Sequence, residues 1–259
     1  MKTFFGKSWM AALLAGACCV MVACDDDDNG GKAPTPEKWV KQIVFRAEWD
    51  ESWTTTITYD SENRVKKIDG LRNDSYEFTY NGNSLTVKGS DRTYTCKLNS
   101  DGYVTEVTEN DFDKDETYYY RMEYKNGYLQ RVEQRYSYNE SRVRVSECTW
   151  RDGNLVEAKC TDYNEDGTDI TTVKYSYSQT ATPINIDLFY IDGGYIDVLE
   201  PLDLLGFYGR QSAKLPNKAD IIYSGESESE SDDFGVYTLN DDGTVARIDC
   251  GSVSYELIY

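Results

Sequence analysis

Apolar and polar residues alternate along most of this chain, and short polar turns interrupt the alternation at intervals of roughly 18–26 residues. Trp150 to Ala158 carries the unit: an aromatic strand end, the turn Arg151-Asp152-Gly153-Asn154, then an apolar strand start at Leu155. Tyr80 leads to Leu85, Leu98 to Tyr103, Tyr124 to Leu129 and Leu239 to Thr244 across similar turns, and a degenerate copy runs from Tyr59 to Arg64. Each turn has Asn, Asp or Gly where a tight hairpin needs residues that tolerate positive φ or bond their own backbone. The flanking runs are rich in Tyr, Val, Thr and Ile, which suit a pleated, half-buried surface.

Pairing across the turns gives consistent faces. With Tyr80 opposite Leu85, Phe78 meets Val87 on one face, while Glu77, Thr79, Thr86 and Lys88 share the other. With Leu98 opposite Tyr103, Tyr94, Cys96 and Val107 join the apolar side; with Trp49 opposite Trp53, Phe45 faces Ile57 and Ile43 faces Tyr59. One apolar and one polar face mean an antiparallel sheet with one side in water. Around Val65–Ile68 and Val156–Cys160 the apolar residues fall on both parities, which predicts strands that are bulged or covered on both sides.

The pattern breaks between Asp187 and Pro216. Ile196, Val198, Leu199, Leu202 and Leu205 stand near helical spacing with Gly206 as a C-cap, so a short helix is expected near 195–205, plugging one end of the sheet. Gly225 to Asp233 is acidic and low in complexity and reads as a mobile loop. The fold class is therefore all-β: an antiparallel β-meander of repeated hairpins curled into an open or closed barrel-like sheet.

The first residues carry an address. Lys2 and Lys7 precede the apolar stretch Trp9–Ala23, too short to span a bilayer as a stable helix. It ends Met21-Val22-Ala23-Cys24, which resembles a bacterial lipobox and implies cleavage before Cys24 and acylation of that residue. Asp25, Asp26, Asp27 and Asp28 follow at once, similar to the surface-export signal of Bacteroidota lipoproteins, with a solvated linker as the alternative. Asn29 to Pro36 reads as a flexible tether. The expected organisation is a signal peptide over 1–23, a lipidated Cys and acidic tether over 24–37, and one β-meander domain over 38–259.

Composition narrows the function classes. The 259 residues hold 46 acids against 27 Lys and Arg, a net charge of -19, which argues against nucleic acid and against charge-driven binding to anionic membranes. There are 22 Tyr against 8 Phe, and an amphipathic ring suits a sheet face that is only partly dry. The chain has no His, which removes Ser-His-Asp and Cys-His catalysis, His metal sites and His proton transfer.

Asp162-x-Asn164-x-Asp166-Gly167 matches the first half of a calcium loop, but Val173 stands where a bidentate Glu belongs, and a strand-joining turn explains the same residues. No cofactor is expected, with calcium the weaker alternative. Asp111, Asp113, Asp115 and Glu116 read as a solvated loop. Cys96, Cys148, Cys160 and Cys250 permit two disulfides, but the hairpin register puts Cys148 and Cys160 on opposite faces, so free buried thiols are expected. Val253-x-Tyr255-x-Leu257-x-Tyr259 resembles the last strand of an outer-membrane barrel, yet most strands carry charge on the face a bilayer would meet, so an edge strand in water is expected.

Taken together, the lipobox with its acidic run, the Tyr-x-x-x-Gly-x-Leu hairpins, Leu205-Gly206-Phe207-Tyr208-Gly209 and Lys214-Leu215-Pro216-Asn217-Lys218 resemble an uncharacterised family of Bacteroidota lipoproteins, a domain-of-unknown-function family with a porin-like fold. The hairpins alone are similar to tyrosine-aspartate repeats. The resemblance brings no catalytic residues. The expectation is a lipid-anchored outer-membrane protein at the cell surface that binds a glycan or protein ligand without catalysis. A carboxylate-dependent polysaccharide hydrolase is the alternative from another class, although no pair among the 46 acids stands out, and a structural envelope component is a third.

Overall fold

The computed structural model describes residues 39–48, 52–71, 74–139, 141–165, 167–181, 201–202, 205–224 and 229–259. Seventeen antiparallel strands form one sheet. They are β1 (Gln42–Ala47), β2 (Trp53–Tyr59), β3 (Val65–Leu71), β4 (Asp74–Asn81), β5 (Ser84–Lys88) and β6 (Arg92–Leu98). There follow β7 (Val104–Asp111), β8 (Glu116–Lys125), β9 (Tyr128–Tyr136), β10 (Val143–Arg151), β11 (Asn154–Asn164) and β12 (Gly167–Ala181). The last are β13 (Lys214–Tyr223), β14 (Ser229–Asp233), β15 (Val236–Leu239), β16 (Val245–Cys250) and β17 (Val253–Ile258).

Every strand from β1 to β13 pairs with its successor, and so do β15 and β16. β1 joins the two runs by pairing with β17, so β17 has partners on both sides and is not the edge strand expected from the sequence. The edges of the ladder are β14 and β15, which are consecutive in the chain and separated by Phe234 and Gly235. Among the described residues no ladder joins them to each other, and the sheet is open there.

Two kinds of turn join the strands at one end. Asn126-Gly127 and Asp152-Gly153 take positive φ at both residues (54° and 79°, 51° and 72°), the geometry of a two-residue hairpin turn. Asp60, Asn99 and Asn240 build a longer loop of a single design. In each, the backbone N–H of the Asx residue donates to the carbonyl four residues on (Arg64, Tyr103 and Thr244, each 2.8 Å). Asn63, Gly102 and Gly243 occupy the positive-φ position of those loops.

Five hairpins then share a one-residue bulge immediately after the turn. The extra residues are Lys66, Thr105, Gln130, Val156 and Ala246, at the register shifts of the β2–β3, β6–β7, β8–β9, β10–β11 and β15–β16 pairs. A bulge inverts side-chain parity, so residues three apart point inward together: Val65 with Ile68, Val104 with Val107, Leu129 with Val132, Leu155 with Ala158, and Val245 with Ile248, all buried. This resolves the mixed parity expected at Val65–Ile68 and Val156–Cys160: those strands are bulged.

In all five, the carbonyl just before the extra residue receives a side-chain donor from the next hairpin. Tyr80 donates to Val65 O (3.0 Å), Tyr124 to Val104 O (2.6 Å), Trp150 Nε1 to Leu129 O (2.7 Å), Tyr177 to Leu155 O (2.6 Å) and Tyr259 to Val245 O (3.0 Å). The β4–β5 hairpin has no bulge, and the residue in the donor's place, Leu98, has nothing to donate. Tyr59 reaches Val40 O at 2.6 Å in the same manner. Buried carbonyls need a partner, and five of the 22 tyrosines meet that need here.

Other registers differ from the sequence expectation. Phe45 pairs with Trp53 rather than Ile57, because the β1–β2 loop is four residues longer than proposed; their rings stack at 3.5 Å. The bulge at Thr149/Trp150 places Cys148 opposite Ala158 and Cys160 opposite Ser146, so both cysteines face inward rather than to opposite sides. Cys96, Cys148, Cys160 and Cys250 are free thiols. Ser229–Asp233, expected in a mobile loop, is β14: its backbone bonds to β13 although its side chains are polar. The helix expected near 195–205 falls mostly outside the described residues; Pro201, Leu202 and Leu205 to Tyr208 form turns.

The inner face holds the core, from Val40 and Ile43 round to Ile248 and Leu257. Leu202 and Tyr208 are buried in it. Their segment closes the turn-bearing end: Val104 N bonds to Phe207 O, Arg210 N to Gly127 O and Ala213 N to Gly153 O. The outer face instead carries rows of alternating charge. Lys97, Glu106, Arg121 and Glu133 are register partners in turn, as are Glu123, Arg131, Glu147 and Lys159, and Lys67, Glu77 and Lys88.

Candidate functional site

Along β7 to β11 the inner face changes character with distance from the plugged end. Val104 and Val107 give way to Glu109 and Asp111; Met122 to Tyr120 and Tyr118; Leu129 and Val132 to Gln134 and Tyr136. On β10, Cys148 is followed toward this end by Ser146 and Arg144, and on β11 Ala158 leads to Cys160 and Asp162. Strand alternation delivers these polar residues inward, because the bulges have already set the parity.

The polar side chains form a connected belt. Tyr120 donates to Glu109 Oε2 at 2.9 Å, Gln134 Nε2 donates to Tyr120 Oη at 2.9 Å, and Tyr136 donates to Gln134 Oε1 at 2.9 Å. Arg92 approaches Glu109 at 3.4 Å and holds Asp91 at 2.7 Å. Arg142 lies 4.7 Å over the Tyr136 ring and pairs with Asp162 at 2.8 Å. Arg144 Nε reaches Cys160 Sγ at 3.1 Å. The Ser146 hydroxyl is the one buried side-chain polar atom among the described residues without a partner.

Burial dominates the electrostatics. Glu109 is 4% exposed, and desolvation raises its pKa despite the Tyr120 hydrogen bond and the Arg92 charge. Burial thereby favours its protonated form. Asp111 is equally buried beside Lys114 at 3.5 Å, so the acidic run from Asp111 to Glu116 is not wholly the solvated loop expected: β7 continues through Asp111 and its parity turns that side chain inward.

Exposed aromatic rings surround this end. Phe112 follows β7, Tyr138 follows β9, and Tyr163 stands near the end of β11; they are 61%, 53% and 47% exposed. Tyr138 meets Tyr136 edge-on at 5.5 Å, and Tyr136 meets Tyr118 the same way at 5.6 Å, so Tyr138 is continuous with the belt.

The residues singled out from the sequence are only partly brought here. Asp162 joins the belt through Arg142, and Asn164 closes the β11–β12 hairpin opposite Gly167; Asp166 lies outside the described residues. Among the described residues no group of three acids or cysteines is placed to hold a metal ion. Cys24 and Asp25 to Asp28 lie outside the described residues. Sequence reasoning missed Glu109, Tyr120, Gln134 and Ser146. The missing signal is the apolar-x-x-apolar spacing that follows each turn, which resets the phase.

No protein-family model matches the chain, and no curated protein matches it. Solved structures do. A porin-like protein from Bacteroides vulgatus ATCC 8482 matches with a TM-score of 0.68 at 15% identity, over 86% of this chain and 99% of that one. A porin-like protein from Bacteroides uniformis ATCC 8492 matches with a TM-score of 0.65 at 15% identity, over 89% and 99%. The chain has a porin-like fold. Both neighbours are named porin-like proteins, not enzymes.

Proposed function

We propose that this chain is a lipid-anchored outer-membrane protein, tethered through Cys24 and carried to the cell surface by Asp25 to Asp28, whose β-domain binds a glycan without catalysis. The observation that carries the binding reading is the polarised end of the sheet: exposed Phe112, Tyr138 and Tyr163 around an inner belt of carboxyl, amide, phenol and guanidinium groups. Aromatic faces stack on the apolar faces of sugar rings while such polar groups bond hydroxyls. Belonging to the uncharacterised porin-like lipoprotein family agrees with this reading and is part of the proposal.

The test is retardation of the purified domain in gels containing defined polysaccharides, beside a Phe112→Ala/Tyr138→Ala variant. Retardation by at least one polysaccharide, lost in the variant, is expected. Equal mobility of both proteins in every gel overturns the reading.

A hydrolase is the second reading, and one observation favours it: Glu109 and Asp111 are a pair of buried acids on one strand, and burial favours the protonated form of Glu109. Release of reducing ends that disappears in Glu109→Gln selects it over simple binding.

A further inference from the structure

The open place in the sheet has a local cause. Lys218 pairs with Asp233 on β13 and β14, and Phe234 N still donates to Asn217 O at 3.1 Å. Continuing that register puts Pro216 opposite Gly235. Proline has no N–H, so the ladder stops there. Gly235 takes φ 76°, and a Cβ on it would lie 1.6 Å from Asp249 O, so the chain turns hard against β16. From Val236 onward it pairs with β16 instead. One continuous segment therefore bonds β13 with its first half and β16 with its second.

The switch leaves two unpaired edges of different character. The β15 edge faces the start of β13, and the Tyr237 hydroxyl donates to Pro216 O across it. Among the described residues nothing comparable faces the β14 edge. Val236 pairs with Asp249 and the β16–β17 hairpin turns at Gly251 and Ser252, so β14 lies beyond the end of β16 and stands above that turn. The wall has a step here, and the raised side of the step is a five-residue strand whose second row of backbone donors and acceptors has no ladder partner among the described residues.

The strand reads Ser229-Glu230-Ser231-Asp232-Asp233, and Ser229, Glu230, Ser231 and Asp233 are exposed. Asp220 beside it binds Lys218 at 2.6 Å and Ser231 at 2.6 Å. An edge this acidic repels a second copy of itself, which is how natural sheets protect an open edge. The same charge selects one kind of outside strand. We infer that β14 is an acceptor edge for an extended, lysine- or arginine-rich segment of a partner protein, added as a further strand above the β16–β17 turn. Main-chain hydrogen bonds would supply register, and the exposed acids Glu230 and Asp233 would supply specificity.

The probe is a fluorescein-labelled nine-residue peptide alternating lysine and valine, tested against the native chain by anisotropy. Its partner control carries N-methyl groups on alternate valines, which keep the charge and remove edge donors. Binding that weakens by about tenfold or more on N-methylation, and again in Glu230→Lys/Asp233→Lys, is expected. Hydrogen exchange on the native chain supplies a readout independent of variant folding: the peptide should slow exchange at residues 229–233. Equal binding of the N-methylated peptide, absence of binding, protection confined to other strands, or dimerisation of the isolated chain through β14 each overturns the inference.

Discussion

The hydroxyls of Tyr80, Tyr124, Tyr177 and Tyr259 each meet the carbonyl that a bulge has taken out of the ladder. Removing such a hydroxyl leaves a buried carbonyl without a donor, which costs about 1–2 kcal/mol. Tyr124→Phe should therefore lower unfolding free energy by about that amount in urea titrations, while Tyr119→Phe, on the exposed outer face, should change it by less than about 0.5 kcal/mol. Glu109 gives a pH signature of known sign. Burial raises its folded-state pKa above the unfolded value, so the folded state binds more protons between the two, and stability falls as pH rises through that window. Glu109→Gln removes the dependence. Relative to the native protein the variant should gain stability as pH rises above the usual carboxylate range, read from urea midpoints across a pH series. No relative gain would mean that Arg92 and Tyr120 fully offset the burial.

Hairpins are the scale at which the sequence was most and least readable. The turns, the pairing of Tyr80 with Leu85 and of Phe78 with Val87, and the all-β class follow from alternation and from Asn, Asp and Gly placement. The bulges do not follow from alternation, because a one-residue insertion changes phase without changing composition. Their trace is present all the same: Val65-x-x-Ile68, Val104-x-x-Val107, Leu129-x-x-Val132, Leu155-x-x-Ala158 and Val245-x-x-Ile248 repeat one spacing. The inner belt was illegible for the same reason, since Glu109 and Gln134 can be assigned to the inside only once the phase is reset. Inserting one residue between Arg131 and Val132 should turn Val132, Gln134 and Tyr136 outward together, whereas deleting the extra residue Gln130 keeps Leu129 opposite Tyr124 and Arg131 opposite Glu123 and leaves them inward. Loss of the cooperative melt by circular dichroism is the expected result for the insertion. A folded insertion variant with native stability would show that the bulge does not set the phase.

Across the whole molecule, the two sides of the sheet are reversed relative to a membrane-spanning barrel. Such a barrel needs an apolar outer band and tolerates a polar lumen; here the lumen holds Leu85, Val87, Leu129 and Ile248, and the wall carries paired Lys, Arg and Glu rows. The likeness to porin-like structures, at 15% identity, is one of fold. Among the described residues the outer wall is charged rather than apolar, so the proposed anchoring rests on a lipid at Cys24. Detergent-phase partitioning of the full chain expressed with its signal, beside Cys24→Ala, tests this most directly. The native chain should enter the detergent phase and Cys24→Ala should remain in the aqueous phase. Retention of Cys24→Ala in the detergent phase would contradict the account, because the β-wall itself would then have to meet lipid.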